Sequence, residues 1–239
     1  MEVCHIISAL QGDHVDQAII TTPPTTASQI YDWLRRRVQT TDLPPGARIS
    51  ETEIAAEIGI SRQPVREAFI RLAADGLAEV KPQRGTYIGK ISVGAVLSAR
   101  LIREAVESDL TKMVAQLRPK DGLAAMQAQI DLQKQYLGPD DVECFVESDD
   151  RFHRQLAIAA GHEAVWNDLE RLKAQINRLR HLSMRVFDRQ HTIDQHQLIL
   201  NALTAGDSYA AEAAMRAHLR QILDDMPQIR QAQPEFFTD

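Results

Sequence analysis

Residues 49–88 carry the pattern that most restricts the possible folds of this chain. It consists of two helical patterns around a tight turn, followed by two short strand patterns. Ser50 and Glu53 fit an S-x-x-E capping box that opens the first helix. Gly59 offers a left-handed residue where that helix ends, and Ser61 can cap the second helix. This order of elements predicts a winged helix-turn-helix.

The polar face of the second helix and the turn between the two strands carry basic side chains. Arg62 and Arg66 lie at i and i+4 near the helix N-terminus, which is where recognition helices meet base edges in the major groove. A guanidinium can donate to guanine O6 and N7 together. Residues 81–85 form a basic tip that suits phosphates or the minor groove. We therefore expect DNA contacts here, against the alternative that Arg62, Arg66 and Arg84 are solvated surface charges.

The net charge of −6 is divided unevenly along the chain. Residues 27–92 hold 10 Lys and Arg against 8 Asp and Glu, a balance of +2, so the remainder carries −8. The positive balance therefore falls on the segment expected to bind DNA, and the acidic remainder limits non-specific binding.

The composition fits a globular protein of the cytoplasm. The length of 239 residues allows two domains, and 44% hydrophobic with 25% charged residues are globular values. No apolar run approaches the roughly 18 residues that span a bilayer, and the N-terminus does not read as a signal peptide. Cys4 and Cys144 form no CxxC and no disulfide framework, which suits a reducing compartment.

The chain is predicted to be mainly α, with an N-terminal winged helix-turn-helix and a C-terminal all-α antiparallel helical bundle. The expected parts are an extension and linker at 1–26, the winged domain at 27–92, the bundle at 93–228 and a tail at 229–239. Glycine and proline divide the bundle into about six helical segments: 94–117, 120–137, 140–160, 163–186, 190–205 and 207–226.

Four residues of the bundle are candidate metal ligands. Asp149 and His153 lie at i and i+4 on one helix face, and His196 and His218 lie on two later helices. Imidazole and carboxylate bind zinc, nickel, cobalt, manganese or iron, and this set leaves coordination positions open for a carboxylate ligand. The spacing alone leaves open the alternative that these are hydrogen-bonded core histidines.

The first domain resembles the GntR family of bacterial transcription regulators. The matching pieces are LPPGARISE (43–51), IA (54–55), IGISR (58–62), PVREA (64–68), RL (71–72), DGL (75–77) and RGT (84–86). The resemblance implies a homodimer that binds a palindromic double-stranded operator. The predicted DNA-binding residues are Arg35 on the first helix, Ser61, Arg62, Gln63, Arg66, and the wing pair Arg84 and Gly85.

The second domain resembles the FCD effector domain of the FadR-type members of that family. The matching pieces are REAVE (103–107), D-x-x-F-H (149–153), HQLILNAL (196–203), GD (206–207) and AAMRAHL (213–219). The resemblance implies a divalent metal, with zinc favoured, held by Asp149, His153, His196 and His218. It also indicates the shorter, six-helix form of the domain.

Arg103 is the first candidate to hold a carboxylate effector, because a guanidinium can bond both oxygens of an acid. The alternative is an ion pair with Glu107, which lies at i+4. Arg100, Asn177 and Arg180 are further candidates for the wall of the effector pocket.

The expected function is a transcription regulator, a repressor, whose operator binding is controlled by a small organic acid at the metal site. In the alternative, the divalent metal is itself the signal. A metal-dependent hydrolase is a remote alternative, since three imidazoles and a carboxylate could activate water. The sequence has no nucleophile motif, no glycine-rich phosphate loop and no dinucleotide fingerprint, so we expect no enzyme.

Overall fold

The computed structural model describes residues 25–239. The predicted extension at 1–26 lies almost wholly outside the described residues, and so does Cys4. Within the described range the chain forms a small winged domain followed by a larger helical domain. No helix of that range combines the length and the apolar character needed to cross a bilayer.

The winged domain has three helices and a three-stranded antiparallel sheet of order β1-β3-β2. Its elements are α1 (Thr26–Gln39), β1 (Arg48–Ile49), α2 (Glu51–Glu57), α3 (Arg62–Ala74), β2 (Ala78–Lys81) and β3 (Gly85–Ile88). The turn residues behave as predicted: the Ser50 hydroxyl accepts from the Glu53 amide at 3.4 Å, and Gly59 has a φ of +70°. Ser61 occupies the N-cap of α3 without making a side-chain cap bond, so its hydroxyl remains available.

One apolar cluster holds the winged domain together. The apolar faces of α1 and α3 pack against each other in this cluster, which includes six side chains with almost no exposure: Leu34, Val65, Phe69, Leu72, Leu77 and Ile88. Because this core fixes the orientation of α3, it also decides which face of α3 remains in water. Ala174, from the second domain, joins the same cluster.

The helical domain contains seven helices and a short two-stranded sheet. Its elements are β4 (Ile91–Ser92), α4 (Val93–Leu117), α5 (Lys120–Gln133), α6 (Val142–Ala159), α7 (Glu163–Leu172), α8 (Ala174–Val186), α9 (Gln190–Ala205), α10 (Ser208–Ala232) and β5 (Phe237–Thr238). Helix α4 packs along α10, and α5 packs along α6. Helix α8 contacts α4, α6 and α10, and its N-terminal part reaches α1 of the winged domain.

The predicted number of helices is one too small, because the segment predicted as one helix over 163–186 is divided at Lys173. The backbone of Lys173 remains right-handed, with φ −78° and ψ −4°, and the segment has no glycine or proline there. At this break the Lys173 ammonium is fully buried and bonds Asp150 and Glu170, contacts that no periodicity signals.

The segment 229–239, predicted as a tail, is an integral part of the helical domain. Helix α10 continues to Ala232 with Pro227 inside it, and β5 then pairs in parallel with β4. Ile229 and Phe237 are buried in a cluster with Ile91 and Leu179. The prediction missed this because the partner strand lies about 145 residues earlier in the sequence, and only two residues of each strand pair.

Replacing Phe237 with Ala tests this role of the C-terminus. We expect Phe237→Ala to lower the free energy of unfolding by about 3 kcal/mol, since it leaves a cavity in a buried cluster. Tyr209→Ala is the matched aromatic control, because Tyr209 is 83% exposed. Denaturant unfolding followed by circular dichroism measures both, and equal stabilities of the two variants would contradict the assignment.

Candidate metal centre and DNA-binding surface

The four predicted metal ligands come together in the interior of the helical domain. Asp149 and His153 project from adjacent turns of α6, His196 from α9 and His218 from α10. Asp149, His153 and His196 are buried, and His218 is partly buried. One donor atom from each residue lies within 4.8 Å of the donor atoms of the other three.

The three imidazoles present the same nitrogen to this shared point. Nε2 of His218 lies 3.1 Å from Nε2 of His153 and 3.3 Å from Nε2 of His196. The Asp149 carboxylate completes the set, with Oδ2 3.7 Å from His153 Nε2 and Oδ1 3.6 Å from His196 Nε2. An ion about 2.1 Å from each nitrogen would separate two of them by roughly 3.0 Å at 90° or 3.4 Å at a tetrahedral angle.

The opposite nitrogen of each imidazole faces an acceptor from another helix. Nδ1 of His153 lies 2.6 Å from Oε2 of Glu107, on α4. Nδ1 of His196 and of His218 each lie 2.9 Å from a glutamine Oε1, of Gln133 on α5 and Gln195 on α9 respectively. Metal-bound histidines characteristically have such outer partners. The sequence analysis missed Gln133 and Gln195 altogether, since a lone glutamine carries no pattern.

For His196 and His218, the glutamine oxygen at Nδ1 places the proton of a neutral ring on that nitrogen and leaves only a lone pair at Nε2. Burial holds the pKa values of His196 and His218 well below the ordinary histidine value, and the neighbouring imidazoles lower them further. Ring nitrogens that lie 3.1 and 3.3 Å apart with lone pairs facing each other repel, so the arrangement fits a cation at their centre.

Glu107 links the candidate metal site to Arg103. The Arg103 guanidinium donates to Glu107 Oε1 at 2.6 Å, and both side chains are almost fully buried. Burial alone would raise the pKa of Glu107, but Arg103 and His153 outweigh it and hold that pKa far below its usual range. The carboxylate is therefore ionised. The ion pair between Arg103 and Glu107, which is the alternative to effector binding by Arg103, is formed in this structure.

A cavity of about 270 Å³ opens beside the candidate metal centre. Asp149 and His218 line it together with Arg103 and Arg180, so two of the four predicted effector residues lie on its wall. The remaining lining includes the carboxylates Asp188 and Asp225 and a set of apolar side chains: Ile176, Met184, Phe187, Leu219 and Ile222. The volume suits a small acid rather than a large metabolite.

The other two predicted effector residues, Arg100 and Asn177, do not line this cavity. Arg100 does not line the cavity, and its Nη1 donates to Glu104. Asn177 lines a separate space between the two domains and accepts from Arg180 at 3.2 Å. Each lies three residues before an arginine that does line the cavity, and each is instead occupied by a polar partner on its own helix, Glu104 for Arg100 and Arg180 for Asn177.

The predicted DNA-binding residues of α3 form one exposed surface. Ser61, Arg62, Gln63 and Arg66 are all exposed on the side of α3 that faces away from the core. Arg62 is 67% exposed and only loosely paired with Glu51, at 3.4 Å. Such side chains can reach base edges without breaking a buried contact, which is what a recognition helix requires.

The wing adds Arg84 and Gly85 to this surface. Both are exposed at the turn between β2 and β3, and Gly85 has a φ of +102°, which favours glycine. A Cβ at Gly85 would lie 3.2 Å from Nε of Arg48. Arg48 is exposed on β1 beside the tip and is a candidate phosphate contact that the sequence analysis passed over, because pairing of β1 with β3 was not anticipated.

Arg35, predicted to contact phosphate, faces the helical domain instead. Its Nη2 donates to the main-chain carbonyl of Glu170 at 3.2 Å and to Oε1 of the same residue at 3.3 Å. His181 is also at this interface, where burial lowers its pKa to about 4. The first helix of the winged domain is thus tied to α7 in this conformation.

Comparisons with known proteins give a consistent result. Residues 26–88 match the family described as bacterial regulatory proteins, gntR family, and residues 100–221 match the FCD domain. The HTH-type transcriptional repressor RspR of Escherichia coli strain K12 is 34% identical over 226 residues, covering 94% of this chain and 99% of that protein. The probable D-xylose utilization operon transcriptional repressor of Paenarthrobacter nicotinovorans is 29% identical over 202 residues, covering 84% and 89%. The solved structure of E. coli McbR/YncC has the same fold, with a TM-score of 0.71 and 19% identity over 87% of this chain and 98% of that chain.

The acceptor at His196 gives a test of the metal centre that leaves all four ligands in place. We expect Gln133→Leu to weaken zinc binding by about 10- to 100-fold, because His196 loses the partner that holds its ring. Gln135→Leu, two residues away and exposed, is the control. Competition with a chromophoric chelator measures both affinities, and an unchanged zinc affinity in Gln133→Leu would count against the site.

Proposed function

This chain belongs to the GntR family of bacterial regulatory proteins and carries an FCD domain, and from that premise we propose a metal-dependent repressor that responds to a small carboxylate. The family predicted from the motifs is confirmed, and it is a family of transcription regulators rather than of enzymes. The protein is therefore a DNA-binding transcription regulator. A hydrolytic role finds no support in its relatives.

The proposed DNA complex is a homodimer on a palindromic operator in the cytoplasm. Each α3 would enter a major groove with Arg62 and Arg66, while Arg84 at the wing tip would follow the neighbouring backbone. An exposed apolar face on α4, with Leu97, Leu101 and Ile102, supports pairing with a second copy of the chain. Two wings related by a twofold axis would then match two half-sites.

The observation that carries the metal proposal is the convergence of three Nε2 atoms whose Nδ1 atoms each face an acceptor. This set of three imidazoles and one carboxylate would bind a divalent ion, with zinc first and nickel, cobalt, manganese or iron as further candidates. Such an ion would supply a positive charge with open positions, to which a carboxylate from the adjacent cavity could bind.

The proposed effector is a small carboxylate in the cavity beside the metal centre. Arg180 and Arg103 supply positive charge at the cavity wall, and the apolar lining residues would cover the remainder of the ligand. The name of one relative associates that protein with D-xylose utilisation, which brings sugar acids into the panel to be tested. Hydroxy acids, dicarboxylates and aromatic acids complete it.

One observation favours the alternative in which the metal itself is the signal. Both arginines of the cavity wall are already engaged by carboxylates: Arg103 by Glu107, and Arg180 by Asp149 and Asp150. An acid entering the cavity would have to compete with these ion pairs or bind through the metal alone. A sensed metal would exchange at low free concentration, whereas a resident metal would survive dialysis.

The recognition surface is tested by Arg62→Ala combined with Arg66→Ala. We expect operator affinity to fall at least about 30-fold, since each arginine contact to a base is worth about 1–3 kcal/mol. Arg171→Ala combined with Arg230→Ala removes two exposed arginines of the helical domain and should leave affinity unchanged. Fluorescence anisotropy at fixed salt is the measurement, and retained affinity in the first variant would refute the surface assignment.

The effector class is tested by a thermal-shift screen of zinc-loaded protein against the carboxylic acids named above. A ligand present at about a hundred times its dissociation constant adds about 2.7 kcal/mol of stability, which raises the unfolding temperature measurably. We expect one acid class to give this shift, and His153→Ala to abolish it. No shift across the panel, with zinc confirmed in the protein, would favour the metal as the signal.

A further inference from the structure

A continuous chain of ion pairs connects the candidate metal centre to the winged domain. Its members alternate in charge, and each of the four inner members bonds a neighbour of opposite sign on either side. We call it the ion-pair chain, and in order it consists of Asp149, Arg180, Asp150, Lys173, Glu170 and Arg35.

The half of the ion-pair chain next to the metal centre is centred on Arg180. Its Nη2 bonds Oδ2 of Asp149, the predicted metal ligand, and its Nη1 bonds Oδ1 of Asp150 at 2.7 Å. Arg180 is 7% exposed. Asp149 and Asp150 are consecutive residues of α6, so one guanidinium of α8 spans the ligand and its neighbour.

The half next to the winged domain is centred on Lys173, at the break between α7 and α8. Its Nζ bonds Oδ1 of Asp150 at 2.8 Å and Oε2 of Glu170 at 3.1 Å. The ammonium lies 4.1 Å from the centre of the Trp166 ring and is fully buried. Glu170 then accepts from Arg35 of α1 at 3.3 Å.

Burial makes these contacts compete with one another. A fully buried ammonium or guanidinium cannot exchange a lost partner for water, so a weakened contact on one side strengthens the contact on the other. The competition is direct at Asp150, because Arg180 and Lys173 both donate to the same oxygen, Oδ1.

We propose that the ion-pair chain transmits the occupancy of the metal centre to Arg35, and that Glu170 is the positioning residue that holds Arg35 away from DNA. This inference rests on the proposed function, namely that the chain binds both a divalent ion and an operator. It goes beyond that function by naming the residues that couple the two sites and by fixing the direction of the coupling.

The direction for the metal follows from the alternation of charge. Asp149, if it held a divalent ion, would give up charge to it and bond Arg180 less strongly, and Arg180 would turn more fully to Asp150. Lys173 then loses part of its hold on Asp150 and bonds Glu170 more strongly. Glu170 in turn releases Arg35 to a DNA phosphate. Metal binding therefore strengthens operator binding.

An acid in the cavity acts in the opposite direction. A carboxylate that bonds Arg180 from the cavity side weakens the Arg180–Asp150 contact, because the same guanidinium serves both. Lys173 shifts toward Asp150, and Glu170 is left to bond Arg35. The acid therefore weakens operator binding, which is the response of a repressor that an acid relieves.

Arg35 is suited to be the last member of the ion-pair chain. It lies on the first helix of the winged domain and is 20% exposed, and its ion pair is with Glu170. Its predicted DNA role and its contact with Glu170 cannot both use Nη2. The neighbouring Arg36 makes a second contact between the domains, to Glu143, which does not connect to the metal centre.

The test uses the full chain and two matched variants. Glu170→Gln removes the last acidic member of the ion-pair chain, and Glu143→Gln removes the unconnected acid of the same interface. Their side chains have similar exposure, 35% and 40%, so both variants are expected to fold. The probe pair is zinc, set by a chelator buffer, and a duplex that the wild type selects from a random-sequence pool.

We expect zinc to tighten duplex binding of the wild type by at least about fivefold, a typical coupling between sites. Glu143→Gln should keep that ratio. Glu170→Gln should reduce it to less than about twofold, with metal-free Glu170→Gln binding as tightly as the zinc-loaded wild type. Because coupling is reciprocal, the duplex should tighten zinc binding by the same factor in the wild type and not in Glu170→Gln.

Two results would overturn the inference while leaving intact the proposal that the chain binds both a divalent ion and an operator. One is a wild-type protein that binds zinc and the duplex independently. The other is a Glu170→Gln variant that keeps the wild-type ratio, or that loses it together with Glu143→Gln, which would mean that any loosening of the interface has the same effect. A wild type that retains no zinc, or selects no duplex, would instead refute the proposed function itself.

Discussion

Three imidazole nitrogens meet at one point of the helical domain because a neighbour faces the opposite nitrogen of each ring. The acceptors come from α4, α5 and α9, and the rings from α6, α9 and α10, so almost every long helix contributes to the site. A small rotation of any one of these helices would separate the donors. The geometry of the candidate metal centre thus depends on the packing of the helical domain, and a bound ion would stabilise both.

Helix α8 connects this packing to the winged domain. Arg180 and Lys173 lie on or beside this helix, and each satisfies a carboxylate on α6. The N-terminal part of α8 also contacts the winged domain directly, where Gln175 donates to the carbonyl of Gly76 at 2.8 Å. Because buried charges need their partners, the helix cannot shift at one end without a response at the other. A regulator that reads one site and acts at another needs a connection of this kind.

The sequence predicted the features that depend on local pattern. The caps at Ser50 and Gly59, the exposed arginines of α3 and the cluster of four candidate metal ligands all follow from spacing within short segments or from a family motif. What it missed depends on contacts between distant segments: the outer partner Gln133, the pairing of β5 with β4, and the position of Arg35. The buried contacts of Lys173, at the break between α7 and α8, also lay outside what periodicity can predict. Residues whose role is set by a partner on another segment leave no local signal.

In the proposed site, His153, His196 and His218 turn their Nε2 atoms to one divalent ion. X-ray absorption spectroscopy of zinc-loaded protein, after removal of unbound zinc, measures this directly. We expect one zinc per chain, with a first shell of nitrogen and oxygen at about 2.0–2.1 Å and scattering from three imidazoles. A protein that retains no zinc, or a shell with sulfur or with fewer than three imidazoles, would contradict it.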